Sequence, residues 1–199
     1  VTGKGSDVPV DLSGQVNAST GDFNGAGNGF PDASLPPDGT SEILENPLEL
    51  ANQLGTKLGQ PLYPDGYYSS HADHSLPFLY PVTVSGGNAI SCHGQVIGLP
   101  GGNYRTLHLL AASGGKAPVS ATFNVGGIAK TVTIAPWTSA PAGITIGYRS
   151  PTEDTPQGLV STPVMLGDYV LTLDPSQRIS SLTLPNAPDV KIVAITLEK

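Results

Sequence analysis

Three groups of residues in this chain have types and spacings that could do chemistry. The first is Asp22, Asn24 and Asn28 in the run Asp22-Phe23-Asn24-Gly25-Ala26-Gly27-Asn28-Gly29-Phe30-Pro31. Calcium takes about six to eight oxygen ligands, and alternate residues of a turning, glycine-rich loop can aim oxygens inward. The register is imperfect, because Ala26 stands where a further oxygen belongs and no Glu closes the loop as in an EF-hand. The same run therefore also reads as a structural turn clamped by Phe23 and Phe30, and any calcium bound there would be structural. The second group is His71-Ala72-Asp73-His74, in which His71, Asp73 and His74 are zinc-type ligands. No second His or Cys pair has matching spacing, so a solvated loop is the competing reading. The third is Tyr63, Tyr67 and Tyr68 beside Asp65 and Asp73. Amphipathic rings with adjacent carboxylates suit the apolar face and hydroxyls of a sugar, and the same tyrosines could instead pin their own segment onto the rest of the fold.

Catalysis by a nucleophile has little support. Cys92 and His93 are adjacent in a strand-like run, and neighbours on a strand point to opposite faces, so they do not pair as thiolate and base. Cys92 reads as a buried, inert thiol, and no Gly-x-Ser-x-Gly elbow occurs. His93 and His108 fall in expected strands and read as hydrogen-bonded sheet residues. Trp137 reads as a strand-end packing residue. A carboxylate pair for glycoside hydrolysis can be assembled from distant positions, which keeps a small hydrolase open as an alternative.

The elements that must position these residues are mostly strands. Val119, Ala121, Phe123 and Val125 alternate with polar residues, as do Val132 and Ile134, then Ile144, Ile146 and Tyr148, then Tyr169, Leu171 and Leu173. Period 2 places each set on one face of a sheet. Turn signals separate the runs at Gly86-Gly87-Asn88, Pro100-Gly101-Gly102-Asn103, Ser113-Gly114-Gly115-Lys116, Gly126-Gly127 and Asp174-Pro175-Ser176. Tyr104–Ala112 and Val190–Leu197 are apolar on both faces, which predicts central strands covered on both sides. The last strand is expected to pair with Val8–Leu12. One helix is expected at Pro47–Leu58, with Asn46 as N-cap, Leu48, Ala51, Leu54 and Leu58 as its apolar stripe, and Glu42, Glu45 and Glu49 near its start. The stretch Tyr63–His74 lacks periodicity and reads as a long loop.

Composition limits the partners. The 199 residues carry a net charge of -7 and only 13% charged side chains. No basic patch exists to neutralise phosphates, so nucleic acid is not an expected partner. No apolar run reaches the roughly 20 residues of a membrane-spanning helix. One cysteine excludes an internal disulfide. Low charge and abundant Thr, Ser, Gly and Asn suit a secreted, extracellular bacterial protein.

An ordered series of short motifs spans nearly the whole chain. It runs from Val10-Asp11-Leu12 with Asn17, through Asp22–Pro31, Leu35-Pro36, Pro77-Phe78-Leu79-Tyr80-Pro81 and Gly94-Gln95-Val96-Ile97-Gly98-Leu99-Pro100. It continues with Leu107–Ala112, Trp137, Leu184-Pro185 and Ala194-Ile195-Thr196-Leu197. The series resembles a β-sandwich accessory region that recurs in large secreted, often actinobacterial, glycoside hydrolases. Asn24 and Phe30 depart from that pattern, which has Asp and Tyr there. The strand spacing and the resemblance both imply an all-β fold, one antiparallel β-sandwich or jelly-roll domain over 1–199, galactose-binding-like; the helix- and loop-containing segment at about 38–75 is a further departure, an insertion relative to that pattern. The resemblance also implies a non-catalytic role, binding a polysaccharide or glycan or buttressing a neighbouring catalytic domain. The alternative is a small glycan-acting hydrolase that uses the Tyr63–His74 segment.

Overall fold

Alternation of apolar and polar residues organises the described residues into two main packed sheets. The structure, a computed structural model, describes residues 7–17, 67–69, 76–79, 89–115, 117–139, 142–150, 153–155, 158–160 and 164–199. The described strands are β1 (Val8–Pro9), β2 (Tyr67–Ser69), β3 (Pro77–Leu79), β4 (Ile90–His93), β5 (Val96–Asn103), β6 (Thr106–Ser113) and β7 (Val119–Val125). They continue with β8 (Ile128–Ile134), β9 (Thr145–Ser150), β10 (Glu153–Thr155), β11 (Gly158–Val160), β12 (Val164–Thr172), β13 (Arg178–Thr183) and β14 (Asn186–Glu198). No helix occurs among the described residues, and the expected helix at Pro47–Leu58 lies outside them, as does most of the 38–75 insertion.

The larger sheet has the order β1-β14-β6-β12-β9, with β4 also paired to β14, and the smaller has the order β5-β13-β7-β8, beside the two-stranded ladders β2-β3 and β10-β11. Strand pairing is antiparallel throughout the described ladders. Val119, Ala121, Phe123 and Val125 of β7 turn inward as their period dictates. They meet Leu107, Leu109 and Ala111 of β6, Tyr169 and Leu171 of β12, and Ile195 and Leu197 of β14 in one buried cluster. Ser120, Thr122 and Asn124 stay exposed on the other face.

The two strands with apolar residues on both faces, β6 and β14, are indeed central and paired to one another. Leu110, Ala112 and Ala194, which point away from the sandwich core, are buried like the inward set. The expected pairing of the last strand with the first segment also holds: Val8 lies opposite Leu197, and the Val10 N–H donates to Ile195 O at 2.9 Å. Gly126-Gly127 turns between β7 and β8 with φ of 57° and 93°, which favours glycine. At Asp174-Pro175-Ser176, Asp174 Oδ1 accepts from the Ser176 N–H at 2.9 Å.

Three expectations require correction. Pro100-Gly101-Gly102-Asn103 is not a turn but the end of β5. Its glycines serve close approach instead: a Cβ on Gly102 would lie 2.8 Å from the Tyr104 ring, and one on Gly101 would meet the Arg178 guanidinium at 2.6 Å. Ile144, Ile146 and Tyr148 do not share a face. A bulge at Gly147 leaves Ile146 opposite Gly167 and Tyr148 opposite Leu166, on opposite sides of the sheet. The stretch Tyr63–His74 is not structureless throughout, because Tyr67–Ser69 forms β2 and pairs with β3.

Candidate functional site

The chemistry-bearing side chains that the described fold brings together lie on the outer face of the larger sheet. Residues opposite one another in an antiparallel ladder share a face. His108 on β6 lies opposite Val170 on β12 and Thr196 on β14, while Asp168 is one diagonal step away. His108 Nδ1 is 3.0 and 3.2 Å from the two Asp168 carboxylate oxygens, so an Nδ1–H donates into that carboxylate. On the far side of the ring, Nε2 is 3.8 Å from Glu198 Oε2. Thr106 Oγ1 donates to the same Glu198 oxygen at 2.6 Å. His108 and Asp168 side chains are only 13% and 6% exposed, whereas Glu198 is 46% exposed.

Burial disfavours the imidazolium, but the hydrogen bond and charge of Asp168, followed by those of Glu198, outweigh it. The net result holds the His108 pKa above its usual 6.5. The arrangement stores a proton well. The atom a general base would use, Nε2, is buried without a hydrogen-bond partner.

A second polar group sits where β4 meets β14. Lys191 Nζ donates to Ser91 Oγ at 3.0 Å and to Pro188 O at 2.7 Å, while Ser91 Oγ donates to Pro188 O at 2.8 Å. Burial pushes the Lys191 pKa down, against the opposing charge of Asp189. Asn17 acts as a surrogate strand partner for Ser91: its Oδ1 accepts from the Ser91 N–H at 2.7 Å and its Nδ2 donates to Ser91 O at 3.3 Å. Gln95 bridges the same turn, accepting from the His93 N–H at 2.6 Å and donating to Ser91 O at 2.7 Å. These bonds close a bulge in β14 between Ala187 and Lys191.

Replacing a buried charge by an apolar chain of similar volume is often neutral or stabilising. Lys191→Met is therefore expected to raise stability at neutral pH by about 1 kcal/mol. A lower urea midpoint would instead show that the ammonium hydrogen bonds hold the bulge.

Cys92 points into the core and burial pushes its thiol up to about 12, so it is not a nucleophile at neutral pH. Trp137 is buried at the strand end, as its position implied. Asp11 Oδ1 caps its own turn, accepting from the Ser13 N–H at 2.9 Å. The calcium candidates Asp22, Asn24 and Asn28, the zinc candidates His71, Asp73 and His74, and the ligand candidates Tyr63 and Asp65 lie outside the described residues. Tyr67 and Tyr68 are described as backbone in β2, opposite Leu79 and Phe78 of β3. Thr196 Oγ1 donates to Pro77 O at 2.6 Å, tying β3 to β14 close to His108. Among the described residues no cluster of three or more His, Cys, Asp or Glu could hold a metal.

Sequence reasoning placed His108 on a sheet but missed Asp168, Glu198, Ser91 and Lys191. A signal existed for two of them: Asp168 and Lys191 are charged residues inside runs of buried neighbours, and a buried charge must be paired or hydrogen-bonded.

Two sheets packed face to face around one apolar layer define a β-sandwich protein. Residues 75–144, which span β3 through β8, match the family described as the AziU2-like beta-sandwich domain. No curated protein matches the chain. Among the described residues, no helix is long and apolar enough to cross a membrane.

Proposed function

We propose that the protein is a non-catalytic accessory module of an extracellular carbohydrate-active protein, and that it binds glycan through Tyr63, Asp65, Tyr67, Tyr68 and Asp73. The observation that supports this reading is the state of the reactive groups. Among the described residues, Cys92, Lys191 and Asp168 are buried in the sheets and His108 is mostly covered, and each of the polar ones is bonded to a partner within them. Groups in that state are engaged within the sheets rather than presented to a substrate. Function then falls to surfaces the scaffold presents, and β2 carries Tyr67 and Tyr68 alongside β3, which is tied to the larger sheet.

A glycan array with and without EDTA tests this. Wild-type protein is expected to retain a polysaccharide. Each of Tyr63→Ala, Tyr67→Ala and Tyr68→Ala should weaken binding by about tenfold, equivalent to about 1.4 kcal/mol. Loss of binding in EDTA would add a structural calcium at Asp22, Asn24 and Asn28. Failure to bind any glycan would overturn the lectin-like reading and leave the module as a buttress for a catalytic domain.

A further inference from the structure

We propose that His108 is a pH-operated tie on the outer face of the larger sheet, joining β6 to β12 permanently and to the end of β14 only while protonated. The asymmetry of its two carboxylates carries this. Toward Asp168 the ring presents Nδ1, whose N–H can donate whether the imidazole is neutral or charged. Toward Glu198 it presents Nε2, which bears a hydrogen only in the imidazolium. Below its pKa, His108 therefore donates to Asp168 and stands as a cation 3.8 Å from Glu198.

Above that pKa the contact with Glu198 changes sign. A buried lone pair on Nε2 then faces a carboxylate oxygen, and among the described residues Glu198 keeps the Thr106 hydroxyl as its side-chain donor. Asp168 loses its cation at the same time, although it is nearly fully buried. Among the described residues, the charged groups that face the ring are Asp168 from β12 and Glu198 from β14, β6 itself contributes the uncharged Thr106, and no basic side chain shares in the titration.

The sign of the effect follows from a folded-state pKa raised above the unfolded one. The stabilisation is complete below the unfolded value, about 6.5, and is lost as pH rises through the folded-state value. The device tightens the sheet in mildly acidic surroundings and loosens the last residues of β14 in alkaline ones.

Histidine NMR of the intact chain tests the tie directly. The His108 ring is expected to titrate at higher pH in the folded protein than in the urea-unfolded chain, and Glu198→Gln should lower the folded midpoint while leaving the fold intact. In parallel, the wild-type melting temperature should fall between mildly acidic and mildly alkaline pH, and His108→Gln should flatten that fall. A folded His108 midpoint at or below the unfolded one would overturn the proposal. So would a midpoint that ignores Glu198→Gln, a measurement that stands even if His108→Gln does not fold.

Discussion

Trp137→Ala is expected to destabilise the protein by about 3–5 kcal/mol while leaving the proposed glycan binding per folded molecule unchanged. The indole is 1% exposed, and its backbone bridges two strands. The Trp137 N–H donates to Ser113 O at 3.0 Å, and Trp137 O accepts from the Met165 N–H at 2.8 Å. The segment thus continues the larger sheet between the end of β6 and the start of β12, and the side chain fills the space beside that junction. Truncation removes a large apolar surface and leaves a cavity that backbone so tethered cannot close. Since domains are stable by only about 5–15 kcal/mol, the loss consumes a large share of the total. Urea unfolding measures it. A variant with wild-type stability and lost glycan binding would make Trp137 a binding platform instead.

Asp168→Ala is expected to cost a similar amount, about 3–5 kcal/mol, because removing one partner of a buried pair strands the other. His108 Nδ1 would then lose its carboxylate acceptor in a site largely covered by the sheet. The milder Asp168→Asn keeps an acceptor for Nδ1–H but removes the charge that most strongly holds the proton on the ring. Glu198 alone then opposes burial, and the His108 pKa falls from its wild-type value. The pH dependence is expected to flatten: wild type loses stability as pH rises above about 6.5, whereas Asp168→Asn loses less across the same range. Urea midpoints at mildly acidic and mildly alkaline pH read the difference. Parallel pH profiles for the two proteins would show that Asp168 acts through packing alone.

The parts of the fold legible from sequence are those governed by local period. Val119–Val125 announces one buried face, and the doubly apolar runs of β6 and β14 announce central strands; both follow from which residues can meet water. Glycine was harder to interpret. Gly101 and Gly102 resemble a turn signal, yet they make room for Arg178 and the Tyr104 ring. Gly147 resembles one more polar position in an alternating strand, but a side chain there would strike Leu110, and the backbone bulges at that point.

The candidate site was half legible. His108 could be placed on a strand, but its partners Asp168 and Glu198 come from other strands, 60 and 90 positions along the chain. Only the registers of β6 with β12 and β14 bring them together. The insertion calls on ligands that no periodicity positions, so its chemistry rests on residue type alone.

The pairing of β1 with β14 has a mechanical consequence. Val8 and Leu197 lie side by side, and Pro9 and Thr196 follow, so the two segments run away from the same end of the sheet. Tension applied through the residues flanking this pair would load its hydrogen bonds one after another rather than together. The module would then open as a zipper does, with β1 peeling away first. Where such a unit is spliced into a longer chain, its weakest direction under pull is the one in which its neighbours hold it.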